Sequence, residues 1–386
     1  MTFRDNIGKS LLQGVLNAQL IIELIDEGVV IGANRSDLEE RIKRQENESA
    51  MDLRLSDEGW SLNSTLKPKS NSESESVRFL VHKYGKKLEG LDKGIVLRKD
   101  QVYLFKLQES LNFKDKFRLY AQASGKSSIG RLDVLTRLIT DDSPIYDEIN
   151  KAYRGDLFVE IIPLSFPILV KTGSSVNQLR LFRGKPGECR LSPSLLSEME
   201  TPVILDHNGE LKRDSQNQLS IDLSPISCGD ERACALVAKQ DTKLEPIDIS
   251  LKKHYDPDLY WERVPPTEDT LEMKRDRFYI LRSKERFFLP DNIAVRCIAY
   301  TEGLGETRIH YAGFAHPWFS RHEDPAKKRG APLIFEVRCH SFPVLARDGE
   351  DFARIEFYRM ATPTRVINKD YDTQELKLSK CFGDWK

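Results

Sequence analysis

LFVEIIPLSFPILVKTGSSVNQLRLFR, residues Leu157 to Arg183, recurs without a gap as LIFEVRCHSFPVLARDGEDFARIEFYR, residues Leu333 to Arg359. Glu160 falls on Glu336, Ser165-Phe166-Pro167 on Ser341-Phe342-Pro343, and Leu169, Gly173 and Arg183 on Leu345, Gly349 and Arg359, each pair 176 positions apart as Glu336 is from Glu160. The same spacing lays Tyr103 on Tyr279 and Glu109 on Glu285, inside YLFKLQES and YILRSKER. A register kept across two separate segments marks a tandem duplication, so two copies of one fold are expected. Within each copy, apolar residues alternate and are broken by Pro and Gly. Leu157, Val159 and Ile161 are followed by Phe166, Ile168 and Val170, the period of half-buried strands. Short strands at this spacing argue for a mainly β barrel or sandwich.

A chain of 386 residues exceeds what one hydrophobic core usually serves. We place one domain at 1–195 and a second at 196–386. The junction is expected in the weakly apolar stretch Ser192 to Arg213, which carries Pro193, Pro202 and Asn208-Gly209. Near the start, Asn17 reads as the N-cap of an amphipathic helix carrying Leu20, Ile21, Leu24 and Ile25 and stopped by Gly28. Lys67 to Ser76, KPKSNSESES, reads as a solvated loop.

Composition excludes several function classes. Apolar residues make up 39% and charged ones 31%, and no apolar run approaches the ~18 residues of a bilayer span. The N-terminus MTFRDNIGKS has no apolar core of a secretory signal, so a cytoplasmic location is expected. Lys plus Arg total 59 against 60 for Asp plus Glu. That leaves no basic excess for a nucleic-acid backbone, and any nucleotide partner is expected to be a free one. Cys189, Cys228, Cys234, Cys297, Cys339 and Cys381 form no CxxC pair, so neither a zinc site nor a disulfide framework is expected.

The copies disagree most at ASGKSSIGRLDV, Ala123 to Val134. At constant spacing its partner is AYTEGLGETRIH, with Lys126 on Glu302, Ser127 on Gly303 and Arg131 on Thr307. Lys126 and Arg131 suit phosphate oxygens, and Ser127 and Ser128 add small donors beside a tight turn. A phosphate or nucleotide cradle fits these residues; so does a Ser/Gly-rich surface turn with solvated charges. Glu336, between Phe335 and Val337, reads either as a partly desolvated general base or as a strand-end carboxylate paired with Arg338.

Lys126-Ser127-Ser128-Ile129-Gly130-Arg131-Leu132 resembles the Arg-Ser-Ser-x-x-Arg-Leu motif of dCTP deaminases. Tyr153-Arg154-Gly155-Asp156-Leu157-Phe158-Val159-Glu160 resembles the family's lead into its glutamate strand, and Met51-Asp52-Leu53-Arg54-Leu55 its Ser-Leu-Asp-Leu-Arg-Leu strand. Tyr371 to Lys380, YDTQELKLSK, resembles the tail that closes over the triphosphate. Together these span most of both copies, and the likeness is to the long bacterial form with two fused domains. None of the six cysteines sits in the His-x-Glu plus Pro-Cys-x-x-Cys pattern of the zinc deaminases.

The resemblance implies two tandem dUTPase-like (β-clip) barrels with a few short helices. It implies zinc-independent hydrolysis of dCTP to dUTP and ammonia, in dUMP and dTTP supply, with Mg2+ accompanying the triphosphate. Family sites lie between neighbouring domains, which points to Glu336 as general base and acid, with Ser127 and Arg131 from the other copy. Lys126, Ser128, Tyr371, Gln374 and Lys377 are the expected substrate contacts, and Glu160 becomes a relic or structural carboxylate. Single-domain relatives form trimers or hexamers, so a homo-oligomer stays open.

Two departures bear on activity. His316-Pro317-Trp318 replaces the family's Asp-Pro-Gly, and Asp372 and Glu375 put negative charge where Gln and Gly are usual. Two alternatives remain. Ala152-Tyr153-Arg154-Gly155 resembles a dUTPase segment, with Asp147 upstream, which fits a dUTP pyrophosphatase or a bifunctional enzyme. The departures fit a catalytically impaired nucleotide-binding protein.

Overall fold

The computed structural model describes residues 12–44, 49–69, 75–113, 117–141, 143–192, 196, 204–206, 218–240, 243–299, 307–309, 314–320, 330–339, 342–365 and 375–385. Two ten-stranded, barrel-like sheets carry the two copies. The first runs Val134–Ile139, Arg154–Pro163, Val102–Asn112, Met51–Leu62, Ser175–Arg183, Leu119–Gly125 and Glu148–Ile149. Its edges meet at Asp147, which holds a left-handed φ of 63°. The Asp147 N–H donates to Leu138 O at 3.1 Å and its carbonyl accepts from Ala123 N at 2.9 Å. In the second sheet Ala331–Cys339, Phe278–Phe287, Gln218–Asp222, Asp351–Arg359 and Ile293–Ala299 follow one another in the corresponding order.

Register shows the duplication directly. Glu160 stands opposite Leu104, and Glu336 opposite Ile280. A buried glutamate does the same work in both copies: Glu109 accepts the Arg54 N–H at 2.8 Å, and Glu285 accepts the Ser220 N–H at 2.9 Å. Both acceptors sit beside an irregularity in strand pairing, where the carboxylate satisfies a backbone donor that the ladder leaves over.

The constant spacing fails in two places: Arg54 has Ser220 as its counterpart, 166 positions on, and a second break precedes the strand Leu119–Gly125. Gly125 opposes Asn177 in the first sheet, but Ala299 opposes Ala353 in the second, so the second copy has lost two residues before this strand. The residue that follows in register, matching Lys126, is Tyr300 and not Glu302. The pairings of Ser127 with Gly303 and Arg131 with Thr307 move with it. Residues 300–306 lie outside the described ones.

The first helix, Ala18–Asp26, begins as its sequence indicates. The Asn17 side chain accepts the Leu20 N–H at 3.1 Å, Leu20, Ile21 and Leu24 are buried, and Gly28 takes φ 63° just beyond the end. Asn17 Nδ2 also donates to Thr362 at 3.0 Å. Asn17→Ala is expected to cost about 1 kcal/mol from the lost cap, read as a lowered midpoint in urea. The expected loop at Lys67 to Ser76 gives way to a helix, Val77–Tyr84, which Ser76 caps by accepting the Phe79 N–H at 3.2 Å; residues 70–74 lie outside the described ones.

The copies are stitched at several levels. Ile168–Val170 pairs in parallel with Ile247–Asp248, and Val15 bridges Met360. An apolar cluster of Val15, Phe182, Cys189, Ala294, Tyr358 and Met360 fills the seam. Beyond Arg190 and Leu191, which bond Tyr358 and Phe357, most of the expected junction lies outside the described residues. Among the described residues no helix is long and apolar enough to cross a membrane.

Candidate active site

Lys126 to Arg131 forms a single tight turn. The Ile129 and Gly130 N–H groups donate to Lys126 O at 2.8 and 2.9 Å, and the Arg131 N–H to Ser127 O at 3.0 Å. Ile129 and Leu132 anchor the turn in the core. Ser127 is left exposed, Ser128 half-buried, and Arg131 faces the second copy. There Arg131 Nε lies 3.6 Å from Glu336 Oε1. Glu336 is 4% exposed, and its Oε2 is buried with no hydrogen-bond partner among the described residues. Burial pushes its carboxyl up to about 8; the Arg131 charge opposes the rise and Asp133 adds to it. The structure thus sets a proton-holding carboxyl from one copy against a cationic turn from the other.

Its twin is arranged differently. Glu160 is also buried, but Arg137 Nε donates to Oε1 at 2.9 Å, a second Arg137 nitrogen bonds the same oxygen, and the guanidinium stacks 4.2 Å from the Tyr146 ring. The stacked arginine holds that carboxylate through Oε1 alone, and Glu160 Oε2 is buried with no hydrogen-bond partner among the described residues.

Arg338 does not pair with Glu336. It crosses to the first copy, where its Nε donates to Asp133 Oδ2 at 3.1 Å and a second nitrogen also binds that oxygen. Ser165 Oγ adds a 2.6 Å bond to Asp133, and Arg338 Nη1 donates to Asp276 O at 2.7 Å. Glu336 and Arg338 are two apart on a strand and so share a face; Arg131 and Asp133 answer them with opposite charges. Asp133 was not among the residues singled out above, although this Glu-x-Arg against Arg-x-Asp complementarity is visible in the sequence.

Lys126 Nζ forms an ion pair with Asp52, which also accepts Arg41 Nη2 at 2.8 Å. Burial would raise the Asp52 carboxyl, but Lys126 and Arg41 hold it below its usual range. The C-terminal segment reaches the same turn, with Ser379 Oγ donating to Ser128 O at 2.6 Å. Lys377 is half-buried in this segment, whereas Tyr371, Asp372 and Gln374 lie outside the described residues. Glu375 does not bring free negative charge to a phosphate site. Its carboxylate is shared by Arg282 and by Arg286 at 3.2 Å. His316 is buried at the seam, its Nδ1 accepting the Ser49 N–H at 3.3 Å with Ser49 Oγ 3.0 Å away.

Residues 12–185 match the family model for the 2'-deoxycytidine 5'-triphosphate deaminase N-terminal domain, and residues 194–382 that for its C-terminal domain. The chain belongs to the dCTP deaminase family. It is similar to the crystal structure of 2'-deoxycytidine 5'-triphosphate deaminase from Agrobacterium tumefaciens, with 28% identity and a TM-score of 0.77 over 90% of this chain and 99% of that one. No curated protein matches the sequence. Near-complete mutual coverage makes this the long, two-domain type of dCTP deaminase, a hydrolase, built from tandem dUTPase-like barrels.

Proposed function

We propose that this family member hydrolyses dCTP to dUTP and ammonia without zinc, at a site where Glu336 of the second copy meets the Lys126–Arg131 turn of the first. The observation that carries the proposal is the desolvated Glu336 carboxyl, raised to about 8, with one oxygen unbonded among the described residues and Arg131 opposite. A group that takes and returns one proton works best with a pKa near the operating pH. Glu336 accepts a proton from water as the oxygen attacks C4 and passes it to ring N3. It then moves the remaining hydroxyl proton to the amine, which leaves as ammonia while C4 becomes the carbonyl of uracil. Ser127 positions water or ring, and Arg131 bears on the charge that develops. Lys126, Ser128, Lys377, Tyr371 and Gln374 are assigned to the triphosphate, and the product enters deoxyuridylate and thymidylate supply.

The zinc-free reading rests on donor chemistry. Zinc takes thiolates, and burial raises the thiols of all six cysteines, Cys297 to about 12 and Cys189 and Cys339 to about 11. Among the described residues no three His, Cys, Asp or Glu side chains gather to hold a metal. Magnesium accordingly enters as the counter-ion of the substrate's phosphates, and no step runs through it.

Incubation with dCTP and with dUTP tests the reading. Ammonia with an intact triphosphate supports it; pyrophosphate from either nucleotide supports the dUTPase alternative; tight dCTP binding without turnover supports an impaired binder. Glu160→Gln is expected to leave kcat for dCTP within about threefold of the parent, since Arg137 already occupies that carboxylate. Ammonia release lost in Glu160→Gln but kept in Glu336→Gln would reverse the assignment.

A further inference from the structure

Two arginines, one from each copy, meet in the seam, and among the described residues no carboxylate pairs with either. Arg180 is 0% exposed, and its guanidinium makes one hydrogen bond among the described residues, from Nη2 to Ser124 Oγ at 2.9 Å, while Nε and Nη1 are buried and unbonded. Arg296 of the second copy donates from Nη1 to Gln122 Oε1 at 3.3 Å, and its Nε is likewise buried and unbonded. Gln122 and Ser124 are two apart on the strand Leu119–Gly125, so they share a face with their Cα atoms roughly 7 Å apart. Phe314 closes the other side: the Arg180 guanidinium lies 4.4 Å from its ring, and Phe314 stands opposite Arg296 in strand pairing. Two side chains of the first copy and one ring of the second thus bring the guanidiniums side by side.

Arginine is almost never fully buried without a counter-charge. Burial, and after it the Arg296 charge, lower the Arg180 guanidinium only to about 9, so it stays cationic at neutral pH. The acids around it are committed elsewhere. Asp147 accepts the Leu138 N–H at 2.8 Å, and burial holds its carboxyl up to about 7 against the pull of Arg296, Arg180 and Arg137. At pH 7 and below it therefore carries half a charge or less. Glu356, the strand partner of Arg296, accepts the Tyr358 O–H at 2.5 Å and Arg190 Nη2 at 2.7 Å. Glu148, the strand partner of Gln122, is exposed. No second chain can supply the missing charge either, because Arg180 has no surface left for one to touch.

We propose that the seam binds one small monovalent inorganic anion of the chloride class between Arg180 and Arg296, held by the guanidinium nitrogens that the chain leaves unbonded. A spherical ion accepts N–H donors from several directions at once, which suits nitrogens belonging to two separate side chains. Complete burial of Arg180 favours a single-atom ion over a nucleotide phosphate, which must come and go with its nucleoside. One negative charge against two guanidiniums and a partly ionised Asp147 leaves the buried cluster close to neutral. The ion ties the first copy to the second where no backbone bond does so, and the proposal does not depend on the deaminase reading.

Thermal unfolding of the full chain at neutral pH tests it, with sodium bromide replacing sodium fluoride over roughly 1–50 mM at constant ionic strength, since an ion that binds only the folded state raises the midpoint. Fluoride, held tightly by its own water, serves as the control that does not enter a dry seam. The expected result is a midpoint several degrees higher in bromide, together with a chloride NMR line that the protein broadens and added bromide narrows again. Arg180→Met should lose both responses and be at least as stable as the parent in fluoride, because it removes an uncompensated buried charge. Arg296→Met, at a half-buried position, gives the same readouts where the first variant does not fold. Equal midpoints in the two salts, a chloride line that the protein leaves sharp, or either response kept in the folded variants overturns the proposal.

Discussion

Glu336→Gln is expected to lower dCTP turnover by about 10²–10⁴-fold, the usual worth of a positioned general base and acid, while leaving dCTP binding in place. The same substitution should make the protein more stable, in a pH-dependent way. An unperturbed glutamate ionises near 4.5, but in the folded chain this carboxyl keeps its proton until about 8. Below pH 4.5 both folded and unfolded states carry the proton and the group is neutral toward stability. Between the two values only the folded state carries it, so each rising pH unit removes about 1.4 kcal/mol from the parent and nothing from the glutamine variant. Above about 8 the penalty levels off, on the order of a few kcal/mol. Thermal unfolding at pH 5 and pH 9 reads this out: near-equal midpoints at the lower pH, and the variant clearly higher at the upper. Steady-state kinetics give a companion result. If the ionised form takes water's proton, kcat/KM rises about tenfold per pH unit toward an inflection near 8 and then flattens. A variant that loses turnover but is also less stable at pH 9 would place Glu336 among structural carboxylates.

Much of this was legible in the sequence because strands advertise themselves twice, through alternation and through the repeat. The gapless Leu157–Arg183 and Leu333–Arg359 match became two strands in one register, and Asn17 and Gly28 marked their helix because capping is local chemistry. What failed was anything that depends on loop length or on partners distant in sequence. A two-residue loss before Ile293 is invisible where the copies share no residues, so Lys126 was set against Glu302. Arg338 is the cation next but one to Glu336, yet neighbours on one strand face stand roughly 7 Å apart and project in parallel. Each therefore found its partner across the seam. Glu375 looked like misplaced charge for a similar reason: Arg282 and Arg286, which neutralise it, lie some ninety positions earlier in the chain.

Arg338→Met should be the most destabilising single change at the seam, by about 3–5 kcal/mol, because it strands the Asp133 carboxylate in the interior. Asp133 is fully buried, sits at φ 55°, and has Arg338 as its only ion-pair partner among the described residues, with Ser165 as its further hydrogen-bond donor. The loss is in the counter-charge and not in packing, since methionine keeps most of the arginine's apolar stem. Adding Asp133→Asn to Arg338→Met removes the stranded charge, and the double variant should recover a large part of the lost stability, giving a coupling of about 1–3 kcal/mol in a double-mutant cycle. Additive losses would mean the pair is not coupled. The single Asp133→Asn carries a second readout that a purely structural pair would not give. Asp133 is one of the groups that holds the Glu336 carboxyl up. Removing that negative charge, with the Arg338 guanidinium left behind, lowers the carboxyl toward its ordinary range, so the inflection in kcat/KM should move below 8. An unmoved inflection in a folded Asp133→Asn enzyme would confine the pair to stability and cut its link to the chemistry next door.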